Sequence, residues 1–289
     1  MIPFDAETRA RKCAASPGLA NEIRWGVDDP GAPRLTFAQK QDSSTKPNPE
    51  PADTHNMAVT LDGPRVAAKS TAPELLVVFL HGYGANGNDL IAIGQQWRNL
   101  MPGAAFVAPN APEPCAQAPG GRQWFRLTMR DPNERWTGVN KACLALDAFL
   151  DAELDRHGLD DSKLALVGFS QGTMLALHAG LRGARKPAGI LGYSGELVAP
   201  PEHSDQVTLR VPAGKPPPIL LVHGSQDDVI PAEALFLAVA ELAEAKIPCQ
   251  WHLSIGLGHG IDDEGLVHGG LFLAKCFGLK QGPAAMTRL

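Results

Sequence analysis

The sequence predicts an α/β protein, a mostly parallel central sheet with helices on both faces in a single domain. Three observations carry that prediction. Short apolar runs recur from residue 75 onward with little polar alternation, as strands buried on both faces do. Amphipathic stretches of helical period lie between them. Gly168-Phe169-Ser170-Gln171-Gly172 then joins one apolar run directly to one helical run, and alternating strand and helix imply parallel strands linked by right-handed crossovers.

Residues 1–56 read differently from the rest. Gln41 to Asn56 is rich in Ser, Pro, Asp and Asn with almost nothing apolar, too little to offset the entropy of ordering. Upstream, Ile23, Trp25, Val27, Leu35 and Phe37 suffice for a docked segment and not for a core. The expected organisation is a largely disordered or loosely docked extension over 1–56, a folded domain over 57–280 and a tail over 281–289. Met57 is a candidate start of translation. After it, Ala58 to Val66 places two short extended stretches around Asp62-Gly63, which predicts an edge hairpin.

Strands are expected at Leu75 to Leu80, Ala105 to Ala108, Leu164 to Val167, Ala188 to Tyr193, Ile219 to Val222 and Cys249 to Ile255. Leu90, Ile93, Trp97 and Leu100 share one helical face. So do Val139, Ala142, Leu146, Phe149 and Leu150, in a helix that Gly158 stops. Thr173 to Leu181 follows the pentapeptide as a helix. Another starts after Pro231, a favoured first-turn residue, and buries Leu235, Val239 and Leu242.

Composition narrows the function. A chain of 289 residues with 44% hydrophobic residues can build a sizeable core, and a net charge of −5 without a basic stripe argues against nucleic acid. No run approaches the length of a membrane span, and Met1 to Leu19 lacks the apolar segment of a signal peptide. The five cysteines are scattered, with no CxxC spacing. The expectation is a cytoplasmic protein that acts on a small, roughly neutral molecule, with no stable membrane insertion and no metal or organic cofactor.

Reactive groups of such a sheet collect beyond the carboxyl ends of its strands, and four segments lie there. At the pentapeptide, Ser170 sits on a strand-to-helix elbow where Gly168 and Gly172 allow strand and helix to approach closely. His81-Gly82-Tyr83-Gly84 can turn a backbone N–H toward the nucleophile, and the N–H of Gln171 supplies a second donor. His223-Gly224-Ser225-Gln226-Asp227-Asp228 offers an acid to orient a histidine; Asp227 is preferred, although spacing separates it poorly from Asp228. Gly256-Leu257-Gly258-His259-Gly260 carries an imidazole on a glycine-rich loop after the last strand. The chain order Ser, Asp, His is that of the α/β-hydrolases.

The remaining histidines read as structural. His178 falls inside a helix, His252 in a strand, and His81 and His223 brace their turns. His203 with Asp205, and His268 near Asp262 and Asp263, lack convergent metal-ligand spacing, so no metal site is expected. The segment Pro109 to Trp136 carries Trp124, Phe125, Leu127, Met129 and Trp136. One reading folds it over the site, with Trp124, Phe125 and Met129 contacting substrate; the other packs its aromatics on the sheet.

At these residues the chain resembles the phospholipase/carboxylesterase family of α/β-hydrolases, which includes acyl-protein thioesterases and bacterial carboxylesterases. The resemblance rests on His81-Gly82-Tyr83-Gly84 with Asn88-Asp89-Leu90, Gly121-Arg122-Gln123-Trp124-Phe125, Gly168-Phe169-Ser170-Gln171-Gly172, His223-Gly224-Ser225-Gln226-Asp227 with Pro231, and Gly258-His259. It implies a triad of Ser170, Asp227 and His259, settles the choice of Asp227, and implies backbone oxyanion donors at Tyr83 and Gln171. It also suggests a homodimer. Thr173 stands where many eukaryotic thioesterases have glycine, and the bacterial carboxylesterase branch is the nearer match. The activity implied is hydrolysis of carboxylic esters of short to medium acyl chains through an acyl-enzyme. The alternatives are a thioesterase or lysophospholipase with the same triad, and a hydrolase-fold protein that binds without turnover.

Overall fold

Leu75–Leu80 is buried at every position, and its side chains divide by alternation between two cores. Leu76, Val78 and Leu80 enter one; Leu75, Val77 and Phe79 enter the other. Only a strand covered on both faces can be apolar throughout. The structure, a computed structural model, describes residues 60–128, 133–182, 185–200 and 216–280. The expected extension over 1–56, Met57, Met129 and the tail over 281–289 lie outside the described residues.

The elements in order are β1 (Arg65–Val66), β2 (Leu75–Leu80), α1 (Asn88–Trp97), β3 (Ala104–Val107), β4 (Glu113–Pro114), β5 (Arg122–Gln123), α2 (Glu134–His157), β6 (Leu164–Phe169), α3 (Gln171–Arg182), β7 (Gly189–Tyr193), β8 (Ile219–Gly224), α4 (Glu233–Glu244), β9 (Cys249–Ser254) and α5 (Asp263–Cys276). One sheet runs in the order β1-β3-β2-β6-β7-β8-β9, with β1 antiparallel and every other neighbouring pair parallel. Helices α2, α3 and α4 cover the face of Leu76 and Val78, while α1 and α5 cover the face of Val77 and Phe79. Gly158 stops α2 in the left-handed conformation at φ 64°, which glycine adopts at no steric cost.

The six expected strands are β2, β3, β6, β7, β8 and β9, with β2 at its expected bounds and the ends of the others shifted by at most two residues. Of the expected edge hairpin, Ala58 and Val59 lie outside the described residues, and the second stretch is an edge strand. Arg65 pairs with Val107 and Val66 with Phe106, so the segment adds to the sheet itself. Asp62-Gly63 forms no turn and runs alongside the end of β3: Asn110 N–H donates to Asp62 O at 2.6 Å, and a Cβ on Gly63 would stand 2.1 Å from the Ala108 carbonyl oxygen. The open edge of β3 offers unpaired backbone groups, and pairing there satisfies them. The chain connection reverses direction beside β2, which has β3 on one side and β6 on the other. Ligand crevices of open α/β sheets form at such a switch point.

Candidate active site

The loop after β2 and the elbow after β6 are neighbours because β2 and β6 pair in parallel, with Leu80 opposite Gly168. Ser170 holds φ 53°, a left-handed conformation rare for a residue with a Cβ. Glycines make it attainable. A Cβ on Gly172 would stand 1.8 Å from the Leu80 carbonyl oxygen, and one on Gly168 would stand 2.4 Å from Gly172 backbone atoms. Ser170 N–H donates to Tyr193 O at 2.9 Å. Thr173, in the first turn of α3, adds a clamp that the sequence does not announce: its hydroxyl donates to Tyr193 O at 2.8 Å and accepts from Tyr193 N–H at 3.0 Å. A threonine just after the motif gives no sequence signal for this, since the partner lies twenty residues away on β7.

Asp227 sits on the turn after β8 with its carboxylate withdrawn from solvent. Oδ1 accepts from the N–H groups of Val229 at 3.0 Å and Ile230 at 2.9 Å. Oδ2 accepts from His259 Nδ1 at 2.8 Å. His223 Nε2 lies 2.8 Å from Ile230 O and 3.3 Å from the same Oδ2. Because the Ile230 carbonyl can only accept, His223 Nε2 carries a proton and donates it to that oxygen. Burial pushes the Asp227 carboxyl up, but the His259 hydrogen bond and the two backbone donors outweigh it and hold the group below its ordinary value. Asp228 is exposed and makes no such contact.

With Nδ1–H donated to Asp227, the lone pair of His259 is on Nε2. The ring lies against Phe169, the residue that precedes Ser170, with centroids 5.0 Å apart. Its loop is fixed at several points. Gln226 N–H donates to Leu257 O at 2.8 Å, and Ser194 hydroxyl donates to Gly260 O at 3.1 Å. Ser194 itself holds φ 45°, a second strained residue at a strand end of the site.

The loop after β2 comes close to the nucleophile: a Cβ on Gly82 would stand 3.4 Å from Ser170 Cβ. His81 orders this loop. Its Nε2 accepts from Ala111 N–H at 3.0 Å, so Nδ1 bears the proton and donates to Gly82 O at 2.8 Å. Burial lowers the pKa of His81 and keeps the ring neutral, against the opposing pull of that hydrogen bond. Gly82 O and Tyr83 N–H belong to one peptide plane and point opposite ways. Fixing the carbonyl therefore aims the N–H. Among the described residues neither Tyr83 N–H nor Gln171 N–H has an acceptor, and Gln171 opens α3, where helix N–H groups are unbonded.

Trp124 and Phe125 are buried, 2% and 4% exposed, and they tie these pieces together. Trp124 Nε1 donates to His81 O at 3.0 Å. The Gln171 carboxamide accepts from Trp124 N–H at 2.9 Å and donates to Phe125 O at 2.8 Å. Arg122 N–H donates to Ala85 O at 2.8 Å, and Gly84 N–H to Arg122 O at 2.9 Å. A cavity of about 320 Å³ lies beside this brace, lined by Tyr83, Pro114, Gln117, Gln123, Arg126 and Leu127 among others. Trp124 and Phe125 do not line it.

A sheet with one antiparallel edge strand, a serine on a strained elbow and an acid–imidazole pair at neighbouring strand ends define an α/β-hydrolase. The chain belongs to the phospholipase/carboxylesterase family, whose sequence pattern matches residues 61–277. Acyl-protein thioesterase 1 of Gibberella zeae is 29% identical over 211 residues, which cover 69% of this chain and 89% of that protein. Esterase YpfH of Escherichia coli is 27% identical, covering 68% and 79%. Among solved structures, esterase PE8 is 42% identical with a TM-score of 0.69, covering 75% of this chain and 100% of that one. SOBER1 of Arabidopsis thaliana is 26% identical with a TM-score of 0.60, covering 70% and 98%.

Proposed function

We propose that this chain hydrolyses carboxylic esters of short to medium acyl chains, with Ser170 as nucleophile, His259 as base and Asp227 as its orienting acid. The observation that carries the reading is the 2.8 Å bond from His259 Nδ1 to Asp227, which leaves Nε2 free to take a proton; Ser170 stands at φ 53° next after Phe169, against which the His259 ring packs. Ser170 Oγ attacks the ester carbonyl as His259 Nε2 takes its proton. His259 then protonates the departing alcohol, and water activated by the same nitrogen cleaves the acyl-enzyme. The N–H groups of Tyr83 and Gln171 receive the negative charge on the tetrahedral oxygen, worth about 3 kcal/mol per donor in comparable sites. Every group in these steps is the protein's own, so no metal or organic cofactor is needed.

The cavity beside Tyr83 has a volume of about 320 Å³, and neither Ser170 nor His259 lines it, so it sets no substrate size. Trp124 and Phe125 act on substrate indirectly in this reading, by holding the donor loop. A thioester substrate is the second reading, favoured by the similarity to an acyl-protein thioesterase; the same acyl-enzyme would serve it. Labelling by a fluorophosphonate followed by peptide mapping tests the nucleophile, and rates across acyl length and against matched thioesters separate the two readings. Label on a residue other than Ser170 would overturn the first. A cytoplasmic homodimer completes the proposal; cell fractionation and light scattering test those two parts.

A further inference from the structure

His252, Glu264 and His268 converge on the outer side of the sheet edge, a grouping that the sequence conceals. His252 belongs to β9, the last strand of the sheet, whereas Glu264 and His268 lie one turn apart on α5. His268 Nε2 is 3.5 Å from Glu264 Oε1, and His252 Nε2 is 4.0 Å from the same oxygen. The two imidazole rings are 4.5 Å apart at 40°. All three ligand atoms lie within 4.8 Å of one another. His252 Nε2 is buried and has no hydrogen-bond partner, which a buried polar atom avoids unless something else satisfies it.

We propose that His252 Nε2, Glu264 Oε1 and His268 Nε2 bind a divalent transition-metal ion of the zinc type, which clips β9 to α5. Ligand atoms around tetrahedral zinc stand about 3.3 Å apart, so the two shorter separations here close onto an ion with side-chain adjustments of less than about 1 Å. Two imidazole nitrogens with one carboxylate oxygen suit zinc, nickel or copper; calcium and magnesium take oxygen ligands. An ion would supply the partner that His252 Nε2 lacks and would hold two adjacent imidazoles in one orientation. The location gives it consequence. β9 ends at Ser254 and α5 begins at Asp263, and between them runs the loop that carries His259. A clip across the two elements flanking that loop fixes both of its anchors.

The test is calorimetric titration of the full chain, free of any affinity tag and stripped with chelator, with zinc chloride. Wild type and His259→Gln are expected to bind one equivalent alike, while His252→Gln and His268→Gln weaken binding by more than about tenfold. Half-exposed His268 is a safe replacement for folding, and circular dichroism of His268→Gln without metal would match wild type. Three results would overturn the proposal: no zinc binding by wild type, equally tight binding by His268→Gln, or loss of binding in His259→Gln, which would place the ion on the Asp227–His259 pair.

Discussion

The carboxamide of Gln171 grips the backbone of Trp124 and its neighbour, accepting from Trp124 N–H at 2.9 Å and donating to Phe125 O at 2.8 Å. One residue thus contributes a side chain that fastens the brace and a main-chain N–H proposed to meet the oxyanion. The Trp124 indole passes the restraint on to His81 O. Positioning of the donors therefore depends on a chain of buried hydrogen bonds that crosses from α3 to the loop after β2.

Gln171→Met keeps the side-chain size and removes both bonds, leaving Trp124 N–H and Phe125 O buried without partners. The expected cost is about 1–3 kcal/mol for an unpaired buried group, read as a lower urea midpoint. Ester turnover should fall chiefly in kcat, since the donors act on the transition state. Unchanged kcat at lowered stability would confine the bridge to a structural role.

Gly172→Ala tests the elbow's close approach. An alanine Cβ would meet the Leu80 carbonyl oxygen at 1.8 Å, and backbone on both sides has nowhere to move. Overpacking of this kind typically costs about 1–3 kcal/mol, and more where, as here, the obstacle is backbone. The variant should melt well below wild type or fail to accumulate as soluble protein. An unchanged melting temperature would mean that strand and helix are further apart.

Asp227→Asn retains an oxygen for Val229 and Ile230 N–H but presents an amide to His259, favouring the wrong imidazole tautomer. On the proposed mechanism kcat falls by about 10³- to 10⁴-fold, as in other serine hydrolases that lose this acid. Asp228→Asn should leave the rate near wild type, because Asp228 is exposed.

How far the site was legible in the sequence depends on how local each signal was. Ser170, Asp227 and His259 each follow an apolar run, so the strands announced their positions, and the family pattern chose between Asp227 and Asp228. The glycines of the elbow were legible because their steric role is local. The fastening of Trp124 to Gln171, the clamp from Thr173 to Tyr193 and the grouping of His252 with Glu264 and His268 were not. Each joins residues from separate elements, and only register and helix packing bring them together. Asp62-Gly63 reads as a turn in the sequence but runs alongside the end of β3, a pairing that is a tertiary fact.

His81 gives stability a pH dependence of determined sign. Burial sets its folded pKa below the unfolded value of 6.5. Above pH 6.5 both states are neutral and the contribution is whole. As pH falls below 6.5 toward the folded pKa, the unfolded chain takes up a proton that the native state refuses, and stability is lost. Between about pH 7.5 and about pH 5.5 the urea midpoint of wild type should therefore drop by more than that of His81→Gln, which has no such proton to bind. Parallel drops would show that other groups govern this interval.

The central claim is that Ser170 is the nucleophile of an ester hydrolase. The most direct measurement is the initial rate of p-nitrophenyl butyrate hydrolysis by wild type and by Ser170→Ala, with circular dichroism showing both folded. The expected result is turnover by wild type and a rate for the variant lower by at least about 10³-fold. A folded Ser170→Ala protein that hydrolyses the ester as fast as wild type would contradict it.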